Sequence, residues 1–320
     1  MSERMSSTAR ERTARTMRRL RRWPASLWLG GTLVGLFVFA GLLSLVWTPD
    51  DAEHVDTANR LARIGTSGHL LGTDALGRDV VSQLMVGARN SLFVAVLSTA
   101  LAVIPGVAIG LGVAGAPRAV RDVVSRTVDV GVALPGILVA LVLATVLGPG
   151  NSAAIIAIVC WFVPLVARTT IGPARQVLSR DFVEASFGYG RRLPFILVRH
   201  VLPNTLPVII VQASVMFASA ILVEASLAYL GIGAQRPTPS WGRLLSDSQQ
   251  YLTEAPHVTI LPGVVIILVV LGFNLLGDGL RIVLDPQQTA RDDPSPRSPA
   301  TQDTSAGSSL VPATGGSSAA

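Results

Sequence analysis

The sequence contains no lysine; its 26 basic residues are all arginine. It has one cysteine, Cys160, and four histidines, so an intrachain disulfide and a Cys/His metal cluster are both excluded. Charged residues make up only 14% of the chain, against roughly 25% in a soluble domain. No G-x-x-x-x-G-K-[S/T] loop occurs, so the polypeptide lacks the phosphate cradle of an ATPase. Nor does it contain a Ser/His/Asp set in a credible soluble pocket, and catalysis by this chain is not expected. The formal charge of +6 would raise nucleic acid in a soluble protein. Here the arginines flank apolar runs, and membrane orientation explains them more simply, without nucleic acid. Cys160 lies within an apolar run and is expected to be a small buried hydrophobe.

What the chain does have is length in its apolar runs, in keeping with 50% hydrophobic residues. Pro24 to Thr48 carries no charge and is long enough for the ~20 residues that span a bilayer. Asn90 to Pro117 forms a second run. Gly131 to Ala167 is too long for one helix and is divided at 147–151 by LGPGN. Leu202 to Val223 and Val258 to Leu276 complete the set. The expected fold is therefore an all-α polytopic membrane protein with six transmembrane helices. The first run starts after 22 residues and has no convincing A-x-A-like end, which favours a retained helix over a cleaved signal.

Charge asymmetry orients the chain. Eight arginines precede the first helix against two acids, placing the N-terminus in the cytoplasm. Alternation then puts the 118–129 loop inside, with Arg118, Arg121 and Arg126, together with the polar island 168–200. Segments 49–89 and 231–257 fall outside and carry mixed charge. Residues 1–22 read as a basic cytoplasmic arm and 23–48 as the first membrane helix. The Pro/Ser/Thr/Ala-rich stretch 285–320 reads as a disordered cytoplasmic tail, because it cannot bury enough surface to offset its ordering entropy.

The island is the most informative segment. Pro173 can open a helix, Phe182, Val183, Ala185 and Ser186 form a compact, partly apolar turn, and Gly188 and Gly190 end or bend it. Such a helix is either an interfacial element held by arginines and lipid phosphates or a knob for a cytoplasmic partner. Outside, Asp74, Arg78 and Asp79 sit in a turn followed by a short helix, Val80 to Val86. Trp241, after two prolines, is a candidate lipid-interface anchor. Glu224, Asp129 and Asp278 are placed at helix ends and should face water, protein or a partner, since an unpaired carboxylate in lipid costs several kcal/mol. No acid falls at a midplane, which argues against a proton- or sodium-coupled carrier.

Glu184-Ala185-Ser186, then Gly190, then Leu202-Pro203 resembles the EAA motif of permease subunits of binding-protein-dependent ABC importers. The resemblance extends over most of residues 65–285. It includes His69 to Asp79, Gly87 to Leu92, Val128-Asp129 with Pro135, Arg199 to Asn204, Tyr229 to Gly233, Pro237 to Gly242 and Phe273 to Arg281. These strings resemble the C-type subunit of the dipeptide/oligopeptide/nickel branch. Ser186 stands where the motif has a second alanine, Gly188 where alanine is more usual, and His200 where the general motif often has isoleucine, although this branch commonly has histidine.

The resemblance implies a type I importer permease fold, with 90–284 as a five-helix core and 168–200 as its coupling loop. It implies that Arg180, Asp181, Glu184, Ala185, Ser186, Gly190, Leu202 and Pro203 serve coupling to an ATPase. Asp74, Arg78, Asp79, Glu224 and Trp241 would serve extracytoplasmic contact or gating. The implied partners are a homologous permease subunit, two cytoplasmic ABC ATPase subunits holding Mg-ATP, an extracytoplasmic solute-binding protein, a peptide substrate and the lipids of a bacterial plasma membrane. The chain itself would hold no cofactor. Nickel is the alternative solute within the family; a stand-alone secondary carrier and a non-transporting scaffold are the alternatives outside it.

Overall fold

The computed structural model describes residues 24–66 and 68–284. The N-terminal arm 1–22 and the tail 285–320 lie outside the described residues. Nine helices are used below: α1 Ala25–Leu43, α2 Val80–Gly115, α3 Arg118–Ala133, α4 Gly136–Leu147, α5 Asn151–Leu178, α6 Asp181–Gly188, α7 Leu193–Tyr229, α8 Trp241–Ser248 and α9 Pro256–Leu284.

Five of these, α1, α2, α5, α7 and α9, are long and apolar enough to cross a membrane alone. Helices α3 and α4 reach that length only as a pair, bent by 82° between them, which brings the crossings to at most six. At twelve residues, α4 rises only ~18 Å and cannot span a ~30 Å core by itself. The break has a local cause. Leu134 precedes Pro135, and proline disfavours the α conformation in the residue before it; Leu134 is extended, at φ −73° and ψ 129°. The expected loop 118–129 is therefore helix, and the third crossing begins at Arg118 rather than Gly131. The pair follows α5 in antiparallel order: Asp129 meets Arg168, Gly131 lies against Pro164, and Gly136 against Trp161.

Two helices outrun the expected boundaries. The 36 residues of α2 rise ~54 Å, so the short outer helix at Val80 is continuous with the crossing that follows. Helix α5 runs through Arg168 to Leu178, and Pro173 lies inside it rather than opening a new helix. A proline at such a position removes one ladder hydrogen bond without ending a helix that packing supports.

The core lies where α2, α5, α7 and α9 meet. Val94, Ala95 and Ala102 of α2 pack with Ile158, Phe162 and Val166 of α5, Met216, Ala220 and Ile221 of α7, and Val269 of α9. In lipid, helices associate through close packing rather than hydrophobic transfer, so small residues collect at the seams. The α2–α5 seam, the most extensive in the molecule, is built on Gly106 and Gly110. A Cβ added at Gly106 would lie 2.5 Å from Val166 Cβ, and one at Gly110 2.6 Å from Thr170 Cβ. Large apolar side chains turn outward instead, among them Leu36, Phe39, Ile104, Val142, Val146 and Ile267. Cys160 is exposed on α5, not buried as expected, because the inward face of that helix is taken by Ala157, Ile158 and Phe162.

Candidate functional site

At the end of the bundle where α2 terminates, α6 is an eight-residue helix held from below by one side chain. Val183 is fully buried in a small cluster with Ala174 and Val177 of α5, Ile196 and Val201 of α7, and Leu111 and Ala114 of α2. Arg180 is its N-cap residue, and Asp181 and Glu184 lie in its first turn, where negative charge favours the helix dipole. It ends in a Schellman motif: Arg191 N–H donates to Ser186 O at 3.2 Å and Gly190 N–H to Phe187 O at 2.9 Å. Gly190 takes φ +74° with open space around it, so its requirement is conformational rather than steric.

The rest of α6 faces outward. Phe182, Glu184, Ala185, Phe187 and Tyr189 are exposed, Tyr189 at 86%. Among the described residues, neither Asp181 nor Glu184 forms an ion pair. Leu202 packs beneath, against the Val183 cluster, and Pro203 is exposed at the start of the α-helical part of α7. Helix α6 and its flanks thus form one projection with an apolar root and an aromatic and acidic crown.

The outer residues assemble differently from their reading in sequence. The Asp74 carboxylate accepts from Leu76 N–H at 2.8 Å, Arg78 N–H at 2.9 Å, Arg78 Nε at 2.8 Å and Gln83 Nε2 at 3.0 Å. Asp79 caps α2 through Ser82 N–H at 2.8 Å, and its other oxygen meets His69 Nδ1 at 3.1 Å. These groups build the turn. Nearby, the Asp56 carboxyl is held below its ordinary range, first by the Asn59 side-chain hydrogen bond and then by the Ala58 N–H.

Trp241 is fully buried, not a lipid-interface ring. Its Nε1–H donates to Leu84 O at 3.1 Å and its ring meets Phe37 edge-on, tying α8 to both α2 and α1. Glu224 is likewise inside, 1% exposed, with Ser91 of α2 and the α8 N-cap Ser240 as polar neighbours. Asp129 pairs with Arg168 at 2.7 Å, a partner 39 residues away, rather than with the neighbouring Arg126. Sequence reasoning missed Ser91, Gln83 and Ser240. Only Ser240 had a local signal, as a serine opening a short helix before Trp241. Among the described residues no group of three or more His, Cys, Asp and Glu converges as a metal site would.

Membrane-length apolar helices with an exposed short helix at one end and a folded cap at the other make a polytopic membrane subunit. The comparisons agree. Residues 106–289 match the family described as binding-protein-dependent transport system inner membrane component, and the chain belongs to that family. It is a multi-pass permease subunit of a binding-protein-dependent ABC importer. It is 38% identical over 260 residues to the dipeptide transport system permease protein DppC of Alkalihalophilus pseudofirmus, covering 81% of this chain and 85% of that one. Against the di/tripeptide transport system permease protein DppC of Pseudomonas aeruginosa it is 43% identical over 226 residues, covering 70% and 74%. The glutathione transport system permease protein GsiD of Salmonella typhimurium is 38% identical over 270 residues, covering 84% and 89%. Among solved structures, the MetNI methionine ABC transporter in an inward-facing conformation matches at a TM-score of 0.54 and 18% identity, over 63% of this chain and 96% of that chain. This last likeness establishes the fold.

Proposed function

We propose that this chain forms half of the translocation path of an ATP-driven importer of short peptides. Its partners are a homologous permease subunit, two cytoplasmic ATPase subunits that bind Mg-ATP, and an extracytoplasmic solute-binding protein. The observation that carries the reading is α6, one buried valine beneath an exposed crown of Phe182, Glu184, Phe187 and Tyr189. An exposed aromatic cluster with unpaired acids suits the cleft of a soluble partner, where aromatic residues supply most of the affinity. Closure of the ATPase dimer around ATP pushes α6, and the bundle exchanges inward- and outward-facing packings, a two-state element driven from one side.

On the opposite side, the cap built from Asp74, Arg78, Asp79 and the Glu224–Trp241 junction receives the loaded binding protein and gates the outer mouth. Relatives named for dipeptides, di/tripeptides and glutathione are all named for short peptides, which favours peptide over nickel. The test is uptake by vesicles reconstituted with all subunits. Glu184→Lys should lower ATP-driven uptake by roughly tenfold or more, within the range of coupling between distant sites, while membrane insertion and pairing with the second permease persist. Full uptake by that variant would sink the coupling role of α6, and uptake without ATPase that an ionophore collapses would replace the importer reading with a secondary carrier.

A further inference from the structure

Helix α7 is not α-helical throughout. Residues Leu197–Val201 form a π-helical turn between the α-helical pieces Leu193–Ile196 and Leu202–Tyr229. A π turn holds one surplus residue in the ladder, costs hydrogen-bond geometry, and recurs at functional positions. Side chains one turn on donate to carbonyls in and beside this turn. Asn204 Nδ2 donates to His200 O at 2.7 Å, and Thr205 Oγ1 to Val201 O and Leu202 O, both at 3.1 Å.

His200, inside this turn, reaches α6. Its ring meets Phe182 edge-on at 6.2 Å, and its Nε2 lies 3.5 Å from Ser186 Oγ. Phe182 and Ser186 are four residues apart and share one face of α6. On its own helix the ring leans on Phe195 at 6.0 Å, which is covered by the Arg191 guanidinium at 5.0 Å. Among the described residues, every side-chain hydrogen bond or ring contact from α6 onto α7 ends on His200; the other link is the apolar seat of Val183 on Ile196 and Val201. Val183 is a pivot, and His200 is a strut beside it, standing where α7 is least tightly wound.

We infer that His200 is a positioning residue of the transport cycle, transmitting displacement of α6 into α7 by changing the winding of the Leu197–Val201 turn. This rests on the importer reading above. A rigid α-helical junction would carry α6 and α7 together as one body. A π turn with a ring wedged against it lets α6 move first and lets α7 follow by passing its surplus residue along the ladder.

The test uses the complete reconstituted complex carrying His200→Ala or His200→Phe, with solute transported per ATP hydrolysed as the readout. His200→Ala should assemble, insert and hydrolyse ATP, while its solute-to-ATP ratio falls by between about five- and 150-fold, the span of ordinary coupling energies. His200→Phe keeps a ring against Phe182 and Phe195 and should restore most of that ratio. A residue that merely stabilises the fold would lose assembly, hydrolysis and transport together. That result, or a wild-type ratio in His200→Ala, would overturn the proposal. Failure of the ATPase subunits to join even the wild-type complex would instead refute the importer reading.

Discussion

Two alanine substitutions two residues apart on α2 should have opposite signs. A Cβ at Gly110 would stand 2.6 Å from Thr170 Cβ and 2.8 Å from the Ala167 carbonyl oxygen. Carbon contacts settle at about 3.5–4.0 Å, so α2 and α5 must part by roughly 1 Å at their tightest point. Overpacking of this kind costs about 1–3 kcal/mol, and the strain falls on the largest helix seam in the molecule. Gly112 has nothing within 4 Å of its virtual Cβ. There, glycine to alanine removes only backbone freedom from the unfolded chain and should gain up to about 1 kcal/mol. The assay is thermal denaturation of the detergent-extracted full chain, followed by loss of the monodisperse peak in gel filtration. Gly110→Ala should melt earlier than wild type and Gly112→Ala at the same temperature or later. If Gly110→Ala were as stable as Gly112→Ala, the close α2–α5 approach would be wrong.

Other perturbations follow from the same geometry. Trp241→Phe removes the indole hydrogen bond to the part-buried Leu84 carbonyl, which keeps its place in the α2 ladder, and should cost about 0.5–1.5 kcal/mol in the same melting assay. Gly190→Val forces a β-branched residue to φ +74°, a cost of roughly 1–2 kcal/mol. It should loosen α6, read as faster proteolysis of the loop and weaker ATPase binding, with insertion unaffected. Val183→Asp buries an unpaired charge at the root of α6 and should abolish ATPase association while the remaining helices stay resistant to protease. The Asp56 carboxyl, lowered by its Asn59 and Ala58 hydrogen bonds, contributes stability that is complete above the ordinary aspartate range and is lost as pH falls through its lowered value. Protection of the Ala58 amide, measured against its intrinsic exchange rate at each pH, should therefore fall in acid, and Asp56→Ala should remove that pH dependence.

Apolar run length was enough to find the five helices that are long enough to cross alone, because the bilayer sets a minimum length that composition reveals. Helix boundaries were harder to read. Arg118 to Asp129 is polar enough to look like a loop, yet it is helix, because its valines and arginines alternate at helical spacing beside α5. The Leu134-Pro135 break was written in the chain, but its consequence, a bent crossing rather than a later start, needed the packing on Pro164 and Trp161. Gly106 and Gly110 lie at the tightest approach of α2 to α5. Burial was least legible at the outer face. Trp241 and Glu224 look like boundary residues one at a time, and only the return of the chain from α7 to α2 through α8 encloses them. The π turn is invisible to periodicity because it arises from a one-residue surplus in a ladder whose composition is ordinary.

The most direct test of the central claim is a photo-crosslinking side chain placed at Tyr189 of the full chain in living cells, with Leu70 on the outer face as control. The account predicts that position 189 captures a P-loop ATPase, identified by mass spectrometry, and that position 70 does not. Capture of no nucleotide-binding polypeptide at position 189, with solute uptake persisting after ATP depletion, would contradict it.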